Sequence, residues 1–274
     1  MEISKEDYQE PRCPFDTDQW QKEAPVHAIS VNRAIEKLDE CYSRGDLAGA
    51  VRVADYWIAE AKEGRDLRGE FALRNELMGI YRKLGNKELA VQNAEIALDL
   101  VKKMGTEGSI SEGTALVNAA TVYKAFEMPE KSIGLFERAR SIYESELSKD
   151  WRLGGLYNNM ALTLSDLGRT DEAKEMFGKA LVVMEQLEGS EAEQAVTWLN
   201  LADLAALESG LEAAESQIRS CCAKAVELLD SDKLPHDGNY AFYCEKCAPV
   251  FDYYGFFMVA DILRNRAKDI YERP

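Results

Sequence analysis

The clearest hydrophobic pattern in the chain lies between residues 157 and 184. At about 100° per residue, Met160, Ala161 and Leu164 all fall within about 60° of Tyr157, an apolar stripe on one side of a helix. Gly168 ends that stripe. After Arg169 and Thr170 a second stripe begins, Ala173, Phe177, Ala180 and Met184. So short a turn requires the two helices to be antiparallel neighbours, which predicts a helical hairpin.

The same pattern recurs along the chain with its turn at Gly45, Gly85, Glu127, Gly168, Ser209 and Gly255, at intervals of 40, 42, 41, 41 and 46 residues. Five places after each turn stands a small residue: Ala50, Ala90, Ser132, Ala173, Ala214 and Ala260. Twelve places after it stand Trp57, Ala97, Ala139, Ala180, Cys221 and Ala267. Small residues at these positions let two helix backbones approach closely. A fixed period means stacked supersecondary units, so the pattern predicts an all-α, right-handed superhelical solenoid of about six hairpins. They fall at about 31–69, 70–112, 113–153, 154–194, 195–237 and 238–274. The loop SDKLPHDGNY at 231–240 accounts for the longer last interval. Pro249 predicts a kink or restart in the helix that contains it.

Tyr157, Met160, Ala161, Leu164, Gly168, Ala173, Phe177 and Ala180 resemble the tetratricopeptide repeat. The period exceeds the usual 34 residues by about seven, which is similar to the long repeats of kinesin light chains. The resemblance covers residues 30–274 and departs at Glu127 and at Trp57, large for its position.

Opposite the core stripe, Asn159, Leu162 and Asp166 lie about 140–200° from Tyr157. The resemblance implies that such first-helix positions line a concave groove. In chain order they are Glu36, Asp39, Ser43; Glu76, Gly79, Lys83; Asn118, Thr121, Ala125; Asn159, Leu162, Asp166; Asn200, Asp203, Leu207; and Lys246, Pro249, Tyr253. Asn118, Asn159 and Asn200 recur at 41-residue intervals. An asparagine amide offers both a donor and an acceptor to a peptide unit, so such a ladder can hold an extended peptide by its backbone. The resemblance implies that role for these three asparagines. Leu162, Asp166, Asp203, Leu207, Lys83 and Thr121 would then select among side chains.

The formal net charge of −16 disfavours nucleic acid and favours a neutral or basic protein or peptide partner. No apolar run is long enough to cross a membrane, and the opening MEISKEDYQE lacks an apolar leader, so a cytoplasmic protein is expected. Residues 1–29, with Pro11, Pro14 and Pro25 beside Phe15 and Trp20, read as an irregular arm over the first hairpin, or as an occupant of the groove.

Cys244 and Cys247 form a CxxC. With Cys221 they would make a metal site if Cys222 or His236 completed it. Their core positions favour the simpler reading of buried small hydrophobes, with no metal and no cofactor. The only histidines, His27 and His236, lie near opposite ends, and no phosphate-binding glycine loop is present, so no enzyme is expected. Two competing readings are an intracellular receptor for a small signalling peptide and a structural module that dimerises through its aromatic last hairpin around Phe256 and Phe257.

Overall fold

The computed structural model describes residues 24–272, and among these it contains twelve α-helices and no strand. They are α1 (Val31–Ser43), α2 (Leu47–Glu63), α3 (Leu67–Lys83), α4 (Lys87–Met104), α5 (Ile110–Ala125), α6 (Pro129–Glu146), α7 (Trp151–Asp166), α8 (Thr170–Met184), α9 (Glu191–Ser209), α10 (Glu215–Leu229), α11 (Gly238–Tyr253) and α12 (Phe257–Tyr271). They pair as consecutive hairpins. The chain divides between Glu146 and Leu147 into two compact units, each with three of the hairpins.

Helix starts follow from local chemistry. Asp46, Asp66, Asn86, Ser109, Asp150 and Asp237 each cap a helix by accepting a hydrogen bond from an amide of its first turn. Such a cap contributes about 1 kcal/mol. Helix ends follow from the turn positions. Gly45, Gly85, Glu127, Gly168 and Gly255 all take left-handed φ values between 58° and 81°. In each case the next amide reaches back five residues, as from Arg169 N to the Leu164 carbonyl at 2.9 Å, closing the helix with its own backbone. Glu127 adopts this conformation despite its side chain.

The fifth hairpin departs from the expected turn. Ser209 is the last residue of α9, and Gly210 takes φ 80°, ψ 160°, a region open essentially to glycine. The turn therefore falls one residue late, and α10 begins only at Glu215. Helix α11 also corrects an expectation, because it runs unbroken through Pro249. Pro249 and Glu245, whose carbonyl loses its amide partner there, are both exposed, so water can satisfy the freed group.

Small residues bring the paired helices together. Ala50, Ala90, Ser132, Ala173, Ala214 and Ala260 are at most 3% exposed. Ser132 fits among alanines because its hydroxyl donates to the Ala120 carbonyl at 2.8 Å. In the N-terminal unit Leu38, Phe71, Leu77, Met78 and Leu100 join one apolar core. In the C-terminal unit Ile218, Cys222, Tyr240, Cys244, Phe251 and Leu263 join another.

Two glycines within helices give opposite predictions. A Cβ on Gly113 would lie 2.4 Å from Tyr143 Cε1, and the Tyr143 hydroxyl is itself fixed against Thr114 Oγ1 at 2.8 Å. Gly113→Ala is therefore expected to lower stability by about 1–2 kcal/mol despite alanine's better helix propensity. Gly178 in α8 meets nothing within 4 Å, so Gly178→Ala should raise stability by about 0.5–1 kcal/mol. Urea midpoints of the two variants, moving in opposite directions from the parent, check the pair.

Residues 1–23 of the expected arm, with Phe15 and Trp20, lie outside the described residues. Its last residues pack on the end of the first hairpin. Val26 N donates to the Gly64 carbonyl at 2.8 Å and Ile29 N to Asp66 Oδ2 at 2.9 Å.

Candidate functional site

In the C-terminal unit the first helices of successive hairpins are neighbours, α7 beside α9 and α9 beside α11. The core stripes turn inward, so the opposite positions share one accessible face: Asn159, Leu162 and Asp166 on α7, Asn200, Asp203 and Leu207 on α9, and Lys246, Pro249 and Tyr253 on α11. Leu207 is 60% exposed and Tyr253 68%, so the face offers apolar as well as polar contacts.

Tyr243 of α11 and Tyr254, just past its end, fix acids of α9. Tyr254 Oη donates to Asp203 Oδ1 at 2.7 Å, and Tyr243 Oη donates to Glu193 Oε1 at 2.9 Å. Asp203 is water-accessible, yet desolvation by the surrounding protein pushes its carboxyl above the usual range, partly offset by the Tyr254 hydroxyl. Lys246 is also accessible, and desolvation lowers its ammonium against the pull of Glu193.

The asparagines differ in what they already hold. Among the described residues, the side-chain amides of Asn159 and Asn200 make no hydrogen bond within the protein. Asn158, beside Asn159, donates to Thr197 Oγ1 at 2.8 Å and so ties α7 to α9.

In the N-terminal unit α3 lies beside α1 and α5, and the sequence-expected positions are more engaged. Asn118 Nδ2 donates to Asn75 Oδ1 at 3.3 Å, while Asn75 Nδ2 donates to the Phe71 carbonyl at 2.9 Å. Thr121 Oγ1 donates to the Val117 carbonyl of its own helix at 2.8 Å, and Lys83 Nζ stands 5.3 Å from the Tyr42 ring centroid. Asn118 thus has an internal partner that Asn159 and Asn200 lack.

The periodicity passed over Asn158, Glu193, Tyr243 and Tyr254. The only sequence signal for Asn158 is its doubling with Asn159. Glu193 lies seven residues before Asn200, two helical turns back along the same face of α9.

Among the described residues the cysteines do not assemble as a metal site. No group of three or more His, Cys, Asp or Glu side chains is placed to hold a metal ion among the described residues, so Cys221, Cys244 and Cys247 are not brought together as ligands. Their side chains turn into apolar packing, and burial pushes Cys244 up to about 11 and Cys247 and Cys222 to about 12, which keeps them as neutral thiols. His236 is exposed and stacks on Tyr240 at 4.4 Å. In the last hairpin Phe256 packs edge-on to Phe251, while Phe257, Met258 and Ile262 are exposed where α8 carries Thr170, Asp171 and Glu175. Among the described residues, no helix is long and apolar enough to cross a membrane.

No curated protein matches the sequence. Residues 152–225 match the family model of the tetratricopeptide repeat. Among solved structures, the chain is similar in fold to BtubC (BKLC) from P. vanneervenii, at 21% identity over 75% of this chain and 83% of that one, with a TM-score of 0.65. A kinesin light-chain structure of nearly identical TPR-like repeats from Podosopora anserina is 18% identical over 72% of this chain and 92% of that one, with a TM-score of 0.50. NprR, solved in complex with its cognate peptide NprX, is 13% identical over 89% of this chain and 68% of that one, with a TM-score of 0.58. Residues 152–225 thus carry the tetratricopeptide repeat, and the helical-hairpin fold of the chain is similar to that of kinesin light-chain repeats.

Proposed function

We propose that the chain is a non-catalytic interaction module that holds an extended peptide segment of a partner across α7, α9 and α11. The observation that carries this reading is the pair of open amides, Asn159 and Asn200, at the same position on neighbouring helices. Each offers one acceptor and two donors, the complement of a peptide unit's N–H and C=O. Backbone pairing of this kind leaves the peptide's sequence to be chosen by its surroundings. Leu162, Leu207 and Tyr253 supply apolar contacts, and Asp166 and Asp203 favour a neutral or basic segment. NprR, which shares the fold, was solved with a bound peptide, and this supports the class of function. Asn118 stands outside the proposed contact because it lies on α5 and already gives one N–H to Asn75.

The test is selection of a random 12-residue peptide library on the full chain, followed by fluorescence anisotropy of the selected peptides. Asn159→Ala with Asn200→Ala is expected to weaken binding at least about 30-fold. Two amides then cease to satisfy peptide groups, at about 1 kcal/mol or more for each hydrogen bond. The urea midpoint should stay unchanged, because neither amide has a partner within the described protein. A parent chain that selects no peptide, or a double variant with parental affinity, removes this reading.

A further inference from the structure

Glu193 lies on the same face as the open amides, yet its two carboxylate oxygens are treated differently. Oε1 accepts the Tyr243 hydroxyl at 2.9 Å, whereas Oε2 is buried without a hydrogen-bond partner. A second orphan acceptor comes from the neighbouring helix, the buried Oδ1 of Asn158. The two belong to one local arrangement. Asn158 Nδ2 donates to Thr197 Oγ1, and that hydroxyl lies 3.0 Å from the carbonyl of Glu193, one turn earlier on α9. Buried acceptors are nearly always paired, so two whose residues are linked through one threonine hydroxyl point to a missing donor.

Nearby cations do not fill that role. Lys246 on α11 feels the Glu193 charge, but no ion pair joins them among the described residues. Arg152, at the equivalent position of α7, directs Nε and Nη2 to Asp150 at 2.9 and 2.7 Å.

We infer that Glu193, helped by Asn158, is the specificity-determining residue of this face and receives a lysine or arginine side chain of the bound peptide. The inference rests on the peptide-binding reading and adds a charge requirement to it. Seven residues separate Glu193 from Asn200, about 10 Å along the helix. A lysine or arginine whose backbone is held at Asn200 covers that distance together with the glutamate's own reach. Both cations carry donors only, three on an ammonium and five on a guanidinium, which suits two acceptors that have none.

The experiment uses the full chain and acetylated, amidated nine-residue peptides of otherwise random sequence, with lysine, arginine, norleucine or glutamate fixed at each position in turn. In one register lysine and arginine should bind about tenfold more tightly than norleucine, and glutamate more weakly than either. Glu193→Gln keeps the side chain's size and its acceptor for Tyr243. It should abolish the basic preference while norleucine peptides bind within about twofold of the parent. Asn158→Ala should reduce the preference without removing it. A basic preference that survives Glu193→Gln, or a parent chain that shows none, overturns the assignment. If peptides bind without charge preference and Asn159→Ala with Asn200→Ala still abolishes binding, the groove stands and the Glu193 role alone falls. If no peptide of any series binds, both fall.

Discussion

Replacing Arg74 by methionine is expected to destabilise the N-terminal unit by about 3 kcal/mol. Arg74 occupies the inward position of α3 that corresponds to Tyr157, and its side chain is only 12% exposed. Its guanidinium is nonetheless well supplied. Nε and Nη2 donate to Glu70 Oε1 at 3.2 and 3.0 Å, and Nη1 donates to Asn93 Oδ1 at 2.8 Å. Glu70 is 10% exposed along its side chain, and its other cation, Lys62, stands 3.6 Å away at the surface. Removing Arg74 therefore leaves a buried carboxylate with one weak partner and a buried amide oxygen with none.

The same reasoning predicts what restores the loss. Arg74→Met combined with Glu70→Leu removes both charges together, and should recover most of the stability because no uncompensated ion remains. In urea the single variant should shift its midpoint by about 1.5 M at unchanged slope, and the double variant by much less. A single variant within about 1 kcal/mol of the parent, or a double variant worse than the single, refutes the account.

Arg74 also shows where sequence reading stops. The hairpin, its period and its inward stripes were legible because apolar positions recur at helical spacing and glycine marks the turns. Five of the six turns fell where the pattern put them, including Glu127, because the backbone contacts that close the helix do not depend on the side chain. The turn at Gly210 was misplaced by one residue. A glycine's freedom to take φ 80°, ψ 160° is not visible in an average period. At the candidate site the accessible face was legible, whereas the state of each amide was not. Asn118, Asn159 and Asn200 are identical by spacing, and only the structure shows that Asn75 crosses from α3 to occupy the first. The Asn158 and Glu193 acceptors depend in the same way on which donors reach them across helices, a property of packing that no periodicity encodes.

Raising the pH from 9 to 11 should unfold the C-terminal unit, with its core thiols driving much of the loss. Cys222, Cys244 and Cys247 are each at most 1% exposed. Burial pushes Cys244 up to about 11 and the other two to about 12. In the unfolded chain a thiol releases its proton near 8.5. Between these values the native state holds protons that the unfolded state has lost. The stability contributed by the neutral thiols is therefore complete below the unfolded value and falls as pH rises toward the folded one. Each thiol gives a slope of about −1.4 kcal/mol per pH unit, so three give roughly −4. A domain of ordinary stability, about 5–15 kcal/mol, loses most of it within two to three such units. Tyr240, buried and pushed up to about 12, adds to the effect in the same direction. Urea unfolding at pH 8, 9, 10 and 11 checks this against a reference in which all three cysteines are alanine. Lysine ionisation is common to both proteins, and Tyr240 is raised partly by Cys244, so the thiols and the tyrosine coupled to them account for the difference between their slopes. The parent should lose stability more steeply by several kcal/mol across the range, and parallel lines for the two proteins would show that the buried thiols do not govern the alkaline limit.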